Sequence, residues 1–130
     1  MLTGEQPILI VDDDNLVRLG LRMTLEDMGF SNLLVAKSGI AAIEMALMYR
    51  PTVILMDVRL GGDIDGIEAA QKILQEHPCN IVFLTGSNET ATRLRIESTE
   101  SASVLVKPIL PQHLIQAIQS LPNHRPPAAC

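Results

Sequence analysis

Three carboxylates follow directly on an apolar run in Ile8-Leu9-Ile10-Val11-Asp12-Asp13-Asp14, and a second run, Val53-Ile54-Leu55-Met56, ends in Asp57. Two buried parallel strands ending this way bring the acids within a few ångströms of one another. Like charges that close repel unless a proton or a cation lies between them. Hard oxygen donors beside a solvent-open position suit Mg²⁺, which keeps several waters and takes few protein carboxylates. Two further groups belong to the same edge, Thr85 behind the apolar run 81–84 and Lys107 behind the run 104–106. A carboxylate that receives a phosphoryl group needs the incoming negative charge neutralised, which a divalent cation and an ammonium do together. Thr85 is then placed to recognise the new phosphate oxygens. The pattern is that of a Mg²⁺-dependent site for a phosphoryl group.

The elements that must position these residues alternate along the chain. Short apolar runs at 8–11, 33–36, 53–56, 81–84 and 104–106 are separated by stretches with helical periodicity, which is the signature of repeated βα units. Several runs are apolar at every position, as strands covered on both faces must be. Asp14 or Asn15 can cap a first helix whose stripe is Val17, Leu21, Leu25 and Met28, closed by Gly29. Ser38 can cap a second, with Ile40, Ile43 and Leu47 facing inward and Pro51 ending it. A third begins near Asp65-Gly66 and carries Ile67, Ala70 and Leu74. The fourth, over about residues 88–98, has only Leu94 and Ile96 as large apolar residues. The fifth follows Pro108 and Pro111, with Leu114, Ile118 and Leu121 on one face. Five such units predict an α/β fold: a doubly wound, five-stranded parallel sheet in the flavodoxin-like order 2-1-3-4-5 with five helices. In that order strands 1 and 3 are neighbours, and the crevice at the switch point lies at their carboxyl ends, where Asp12, Asp13 and Asp57 fall. The domain is expected over residues 1–121, with a flexible C-terminal tail over 122–130.

Composition narrows the function. The chain has 130 residues, 47% of them hydrophobic, enough for one domain with a real core. Its only aromatics are Phe30, Phe83 and Tyr49, so that core must be aliphatic. A net charge of −5 argues against direct nucleic-acid binding by this domain, which needs a basic footprint. Cys79 and Cys130 have no CxxC spacing and read as free thiols of a reducing compartment. Met1-Leu2-Thr3-Gly4-Glu5 has no signal-peptide character, and no apolar stretch approaches the roughly 20 residues of a membrane span. No membrane association and a cytoplasmic location are expected.

The ordered set Ile8-Leu9-Ile10-Val11-Asp12-Asp13-Asp14, Val53-Ile54-Leu55-Met56-Asp57, Asp65-Gly66-Ile67-Glu68-Ala69-Ala70, Val82-Phe83-Leu84-Thr85-Gly86 and Val104-Leu105-Val106-Lys107-Pro108 resembles the receiver domain of two-component response regulators, over about residues 6–121. The resemblance implies that Asp57 accepts a phosphoryl group from a sensor histidine kinase or phosphotransfer protein, and that the domain then switches conformation to signal to an output domain or partner. It implies that Asp12, Asp13 and Asp57 hold Mg²⁺ with the backbone carbonyl of Arg59. Thr85 would recognise the phosphate and move on activation, and Lys107 would pair with Asp57 or its phosphate. Pro108 matches the family's proline, often preceded by a cis bond. Such a domain is not an enzyme in the ordinary sense; it catalyses only its own phosphotransfer and dephosphorylation.

The chain departs from the family in three places. Leu60-Gly61-Gly62-Asp63-Ile64 replaces a Met-Pro segment and is one residue longer, which predicts a looser rim to the metal site. Val104 stands where an aromatic commonly reports the threonine's movement. Arg59 and Ser87 lie two residues beyond Asp57 and Thr85, at positions that tune phosphate lifetime in the family.

Two other functions compete. Asp12-Asp13-Asp14 also fits the opening of haloacid-dehalogenase-like phosphatases, but no carboxylate pair follows Lys107 and no cap domain fits this length. A non-phosphorylated, receiver-like interaction module would be expected to have lost an acid or the lysine, and all are kept. A flavodoxin is disfavoured because three carboxylates would repel the FMN phosphate, and no P-loop sequence occurs. Asp14 reads as a helix cap, Asp63 and Asp65 as turn formers, and Arg93 and Arg95 as a solvated face. His77, His113 and His124 share no metal-ligand spacing and read as surface residues.

Overall fold

The computed structural model describes residues 6–86, 90–99 and 102–122. The expectations for Ser87, Asn88, His124, Cys130 and the tail beyond Pro122 lie outside the described residues. Five βα units follow in order: β1 (Ile8–Val11), α1 (Asn15–Asp27), β2 (Leu33–Ala36), α2 (Gly39–Tyr49), β3 (Val53–Asp57), α3 (Gly66–Glu76), β4 (Asn80–Thr85), α4 (Thr90–Glu97), β5 (Ala102–Val106) and α5 (Pro111–Gln119). All strand pairs are parallel, in the order β2-β1-β3-β4-β5. The predicted doubly wound sheet is the observed one. Among the described residues, no helix is long and apolar enough to cross a membrane.

Alternation along the strands divides the core between the two faces of the sheet. Leu9, Val11, Ile54, Met56, Ile81 and Phe83 face α2, α3 and α4, where Ala42, Ala46, Ile67, Ala70, Ile73 and Ile96 cover them. Ile8, Ile10, Val53, Leu55, Val82 and Leu84 face α1 and α5, covered by Leu21, Leu25, Leu114 and Ile118. Each fully buried Leu or Ile contributes about 1.5–3 kcal/mol, so the sheet that carries the site is the most strongly anchored part of the molecule.

The caps follow the sequence closely. Asp14 accepts hydrogen bonds from the amides of Leu16 and Val17, and Ser38 from that of Ala41. Asp65 and Glu68 form a reciprocal capping box on α3. Gly29, just beyond α1, has φ +97°, a conformation that favours glycine.

Three expectations need correction. Ile40 does not face inward but is 51% exposed; the buried face of α2 is Gly39, Ala42 and Ala46. Small residues are needed there because α2 lies along α3 and over β1 and β2. His77 is half-buried rather than on the surface, its ring Nε2 2.6 Å from the main-chain oxygen of Pro51. β4 and β5 start earlier than the apolar runs suggest, at Asn80 and Ala102, because strand pairing extends to those residues, Asn80 opposite Val53 and Ala102 opposite Ile81. Cys79 lies between α3 and β4 as a fully buried free thiol, pushed up to about 12 by burial.

Candidate functional site

The register of the sheet sets the site. Val11 pairs with Met56, so Asp12 stands level with Asp57. Asp57 pairs with Leu84, one residue before Thr85, and Thr85 pairs with Val106, one residue before Lys107. Asp12, Asp57, Thr85 and Lys107 therefore emerge as a staircase along one edge, in the crevice where the strand order reverses.

Asp12 is wholly buried, Asp57 is 4% exposed and Asp13 is exposed. One carboxylate oxygen from each lies within 4.8 Å of the others. Lys107 Nζ bridges two of them, 3.2 Å from Asp12 Oδ2 and 3.4 Å from Asp57 Oδ2. The Asp14 amide donates to Asp12 Oδ1 at 2.9 Å, and the Arg59 amide to Asp57 Oδ1 at 3.2 Å. Thr85 is buried at the end of β4, and its main-chain oxygen accepts from the Lys107 amide at 2.7 Å. The Lys107-Pro108 peptide is cis, as the family resemblance implies.

The electrostatics favour cation binding. Burial, reinforced by Asp12 and opposed by Lys107, pushes the Asp57 carboxyl up from 3.8 to about 6. Burial alone would lower the Lys107 ammonium, yet the attraction of Asp57 and Asp12 outweighs it and the group is raised. One ammonium faces three carboxylates, so negative charge is left over at an open rim. Hard oxygen donors with residual charge fit Mg²⁺ in number and kind.

The loop beyond β3 is tied down on both sides. Leu60 and Ile64 pack against the α2–α3 face of the core, and Ile64 closes over Gly39. Gly62 turns between them with φ +104°. The Gly66 amide donates to the Val58 carbonyl at 2.9 Å, and the Val58 amide donates to Leu84 at 3.0 Å. Only residues 61–63, at its centre, are fully exposed. Val104 is half-buried against the same core face, paired with Phe83.

Two contacts escape the sequence reading. Arg95 is not merely solvated; it pairs with Asp65 at 2.8 Å and joins α4 to the start of α3. Burial would raise the Asp65 carboxyl, but hydrogen bonds from Arg95 and from backbone amides hold it below its ordinary value. Arg18 is 8% exposed, and Nη1 donates to the main-chain oxygen of Asp12 at 2.6 Å. Its signal was present in the sequence: Arg18 lies three residues before Leu21 and seven before Leu25, on the buried stripe. Beside Lys107, an apolar groove of about 660 Å³ opens between α1 and the start of α5, lined by Leu16, Val17, Gly20, Pro108, Leu110 and Leu114 among others.

Comparison with known proteins gives a consistent result. The response regulator receiver domain family matches residues 8–119. The chain is 33% identical over 109 residues to protein-glutamate methylesterase/protein-glutamine glutaminase 3 of Hahella chejuensis, covering 82% of this chain and 31% of that protein. It is 35% identical over 114 residues to the response regulator GacA of Pseudomonas protegens, covering 86% of this chain and 53% of that one. The chemotaxis protein CheY4 of Vibrio cholerae superposes with a TM-score of 0.82 at 25% identity, over 91% of this chain and 99% of that one. Among the first curated relatives, the chain spans from about a third to about half of their length.

Proposed function

The chain belongs to the response regulator receiver domain family, a phosphoacceptor signalling family, and on that premise we propose that Asp57 is the residue that takes the phosphoryl group. The observation that carries this reading is the placement of Asp57, buried at the end of β3 with Lys107 Nζ 3.4 Å from one carboxylate oxygen. In the reaction an Asp57 carboxylate oxygen attacks phosphorus, a P–O bond forms, and the bond to the donor's imidazole nitrogen breaks. Lys107 and the Thr85 hydroxyl then receive the charged phosphate oxygens. Asp12, Asp13, Asp57 and the backbone carbonyl of Arg59 are the groups that would hold Mg²⁺, which when bound supplies the positive charge that lets an anion approach an anion.

The donor is a sensor histidine kinase or phosphotransfer protein, and the groove beside Lys107 is where it rests. That surface is apolar, and it runs directly into the acceptor site. The output is an attached domain or a separate partner. The phosphatase alternative gains no support from the family match or the relatives named above, whereas the non-phosphorylated module is separated by experiment. Acetyl phosphate with Mg²⁺ should label the wild-type chain and leave Asp57→Asn unlabelled. Equal labelling of the variant would refute the assignment, and a wild-type chain that binds neither phosphate nor beryllofluoride would be a pure interaction module.

A further inference from the structure

Among the described residues Arg18 is the only cationic side chain in the buried class. A guanidinium taken out of water is costly unless its donors are used. Here one arm donates to the main-chain oxygen of Asp12 at 2.6 Å and the other to Asn15 Oδ1. The Asp12 oxygen belongs to the peptide that joins Asp12 to Asp13, two of the three acids in the cluster. The Asp12 side chain has its own tethers, the Asp14 amide on Oδ1 and Lys107 on Oδ2. Asp13 is exposed, so its carboxylate is aimed by the plane of that peptide.

We propose that Arg18 is a positioning residue for the divalent-cation site: a charge-assisted hydrogen bond from α1 fixes the Asp12–Asp13 peptide so that both carboxylates face Asp57. The inference rests on the reading of this cluster as a metal site. It has a sign that simple electrostatics does not share. Arg18 is a cation near a cation site, so as a charge alone it would weaken metal binding, and its removal would tighten it. As a positioning group, its removal must loosen binding.

The experiment is Mg²⁺ titration by calorimetry and Mn²⁺ titration by electron paramagnetic resonance, with thermal midpoints, on wild type, Arg18→Met and Arg18→Lys. Arg18→Met should bind both cations more weakly, on the order of tenfold as for other groups that orient metal ligands. Arg18→Lys, which keeps the charge and one donor, should fall between it and wild type. Unchanged or tighter binding by Arg18→Met overturns the proposal, including the case where only the thermal midpoint falls. If Arg18→Met does not fold, Asn15→Ala releases one arm of the guanidinium from an exposed position; weakened cation binding supports the proposal and unchanged binding overturns it. A wild-type chain that binds neither cation overturns the metal-site reading itself, a different result from normal wild-type binding with an indifferent Arg18→Met.

Discussion

A methyl group placed on Gly66 would bring its carbon within 1.9 Å of the main-chain oxygen of Asp57. The first residue of α3 is therefore pressed against the backbone of Asp57, the proposed phosphoacceptor, and the Gly66 amide ties it there through the Val58 carbonyl at 2.9 Å. The requirement for glycine is one of space, and it couples the seating of a helix to the shape of the site.

Gly66→Ala should consequently do two things at once. The backbone must move to admit the methyl group, which costs about 1–3 kcal/mol as other overpacked sites do. The movement also shifts the Asp57–Val58 segment, so labelling by acetyl phosphate should slow. Urea unfolding and labelling on the same sample check both, and wild-type stability in the variant would refute the close contact.

The Asp57 carboxyl gives a prediction with a definite sign. Burial, with Asp12 adding and Lys107 opposing, raises it from 3.8 to about 6 in the metal-free protein. The folded state then holds more protons than the unfolded state between these values, so stability falls as pH rises through that window. Below it the group is neutral in both states and costs nothing. Asp57→Asn should match wild type near pH 3 in EDTA and exceed it at pH 7 by up to about 3 kcal/mol, the equivalent of the shift. Thermal midpoints across this range decide it, and a variant less stable than wild type at pH 7 would count against the buried charge. Added Mg²⁺ should stabilise wild type more than the variant.

Strand ends were legible because parallel strands covered on both faces are apolar throughout, and the first polar residue marks the edge. That rule places Asp12, Asp57 and Thr85 together, and Lys107 joins them as the first polar residue after the apolar end, 104–106, of the half-exposed edge strand β5. Helix faces were less legible. Hydrophobicity favours Ile40 as an inward residue, but the closeness of α2 to α3 selects Gly39, Ala42 and Ala46 instead. The Arg95–Asp65 pair spans 30 residues and leaves no local pattern to read. Arg18 was hidden by its type, since a charge on a buried stripe reads as an exposed flank until its partners are seen.

If the donor docks in the groove between α1 and α5 as proposed, a substitution there separates docking from chemistry. Leu16 is 78% exposed and Leu110 45% exposed, and both line it. Leu16→Glu places an acid in the first turn of α1, where the helix dipole accepts it. Transfer from a histidine kinase should fall by about tenfold, the scale of losing one central apolar anchor. Labelling by acetyl phosphate should stay at the wild-type rate. Equal loss with both donors would place Leu16 in the folding of the site and not in recognition.

The last prediction concerns how phosphate is reported. Val104 is short and stiff at χ1, so it cannot make the large swing that an aromatic ring could at that position. α4 is a better candidate for movement. Of its large apolar residues Ile96 is buried and Leu94 is 60% exposed, so little core holds it to the sheet. Its clearest polar tie is the Arg95–Asp65 pair at 2.8 Å, which is solvent-exposed and of the kind worth about 0.2–1 kcal/mol. Elements with few apolar anchors open at low free energy. Because Asp65 caps α3 next to Gly66, a shift of the Asp57–Val58 backbone passes directly to that pair. Beryllofluoride should therefore change hydrogen exchange over residues 86–98 more than over 104–106. Arg95→Ala should raise exchange in α4 by a few-fold without any phosphate mimic, in proportion to the small energy of the pair. Changes confined to residues 104–106, with α4 unaffected by either treatment, would sink the idea.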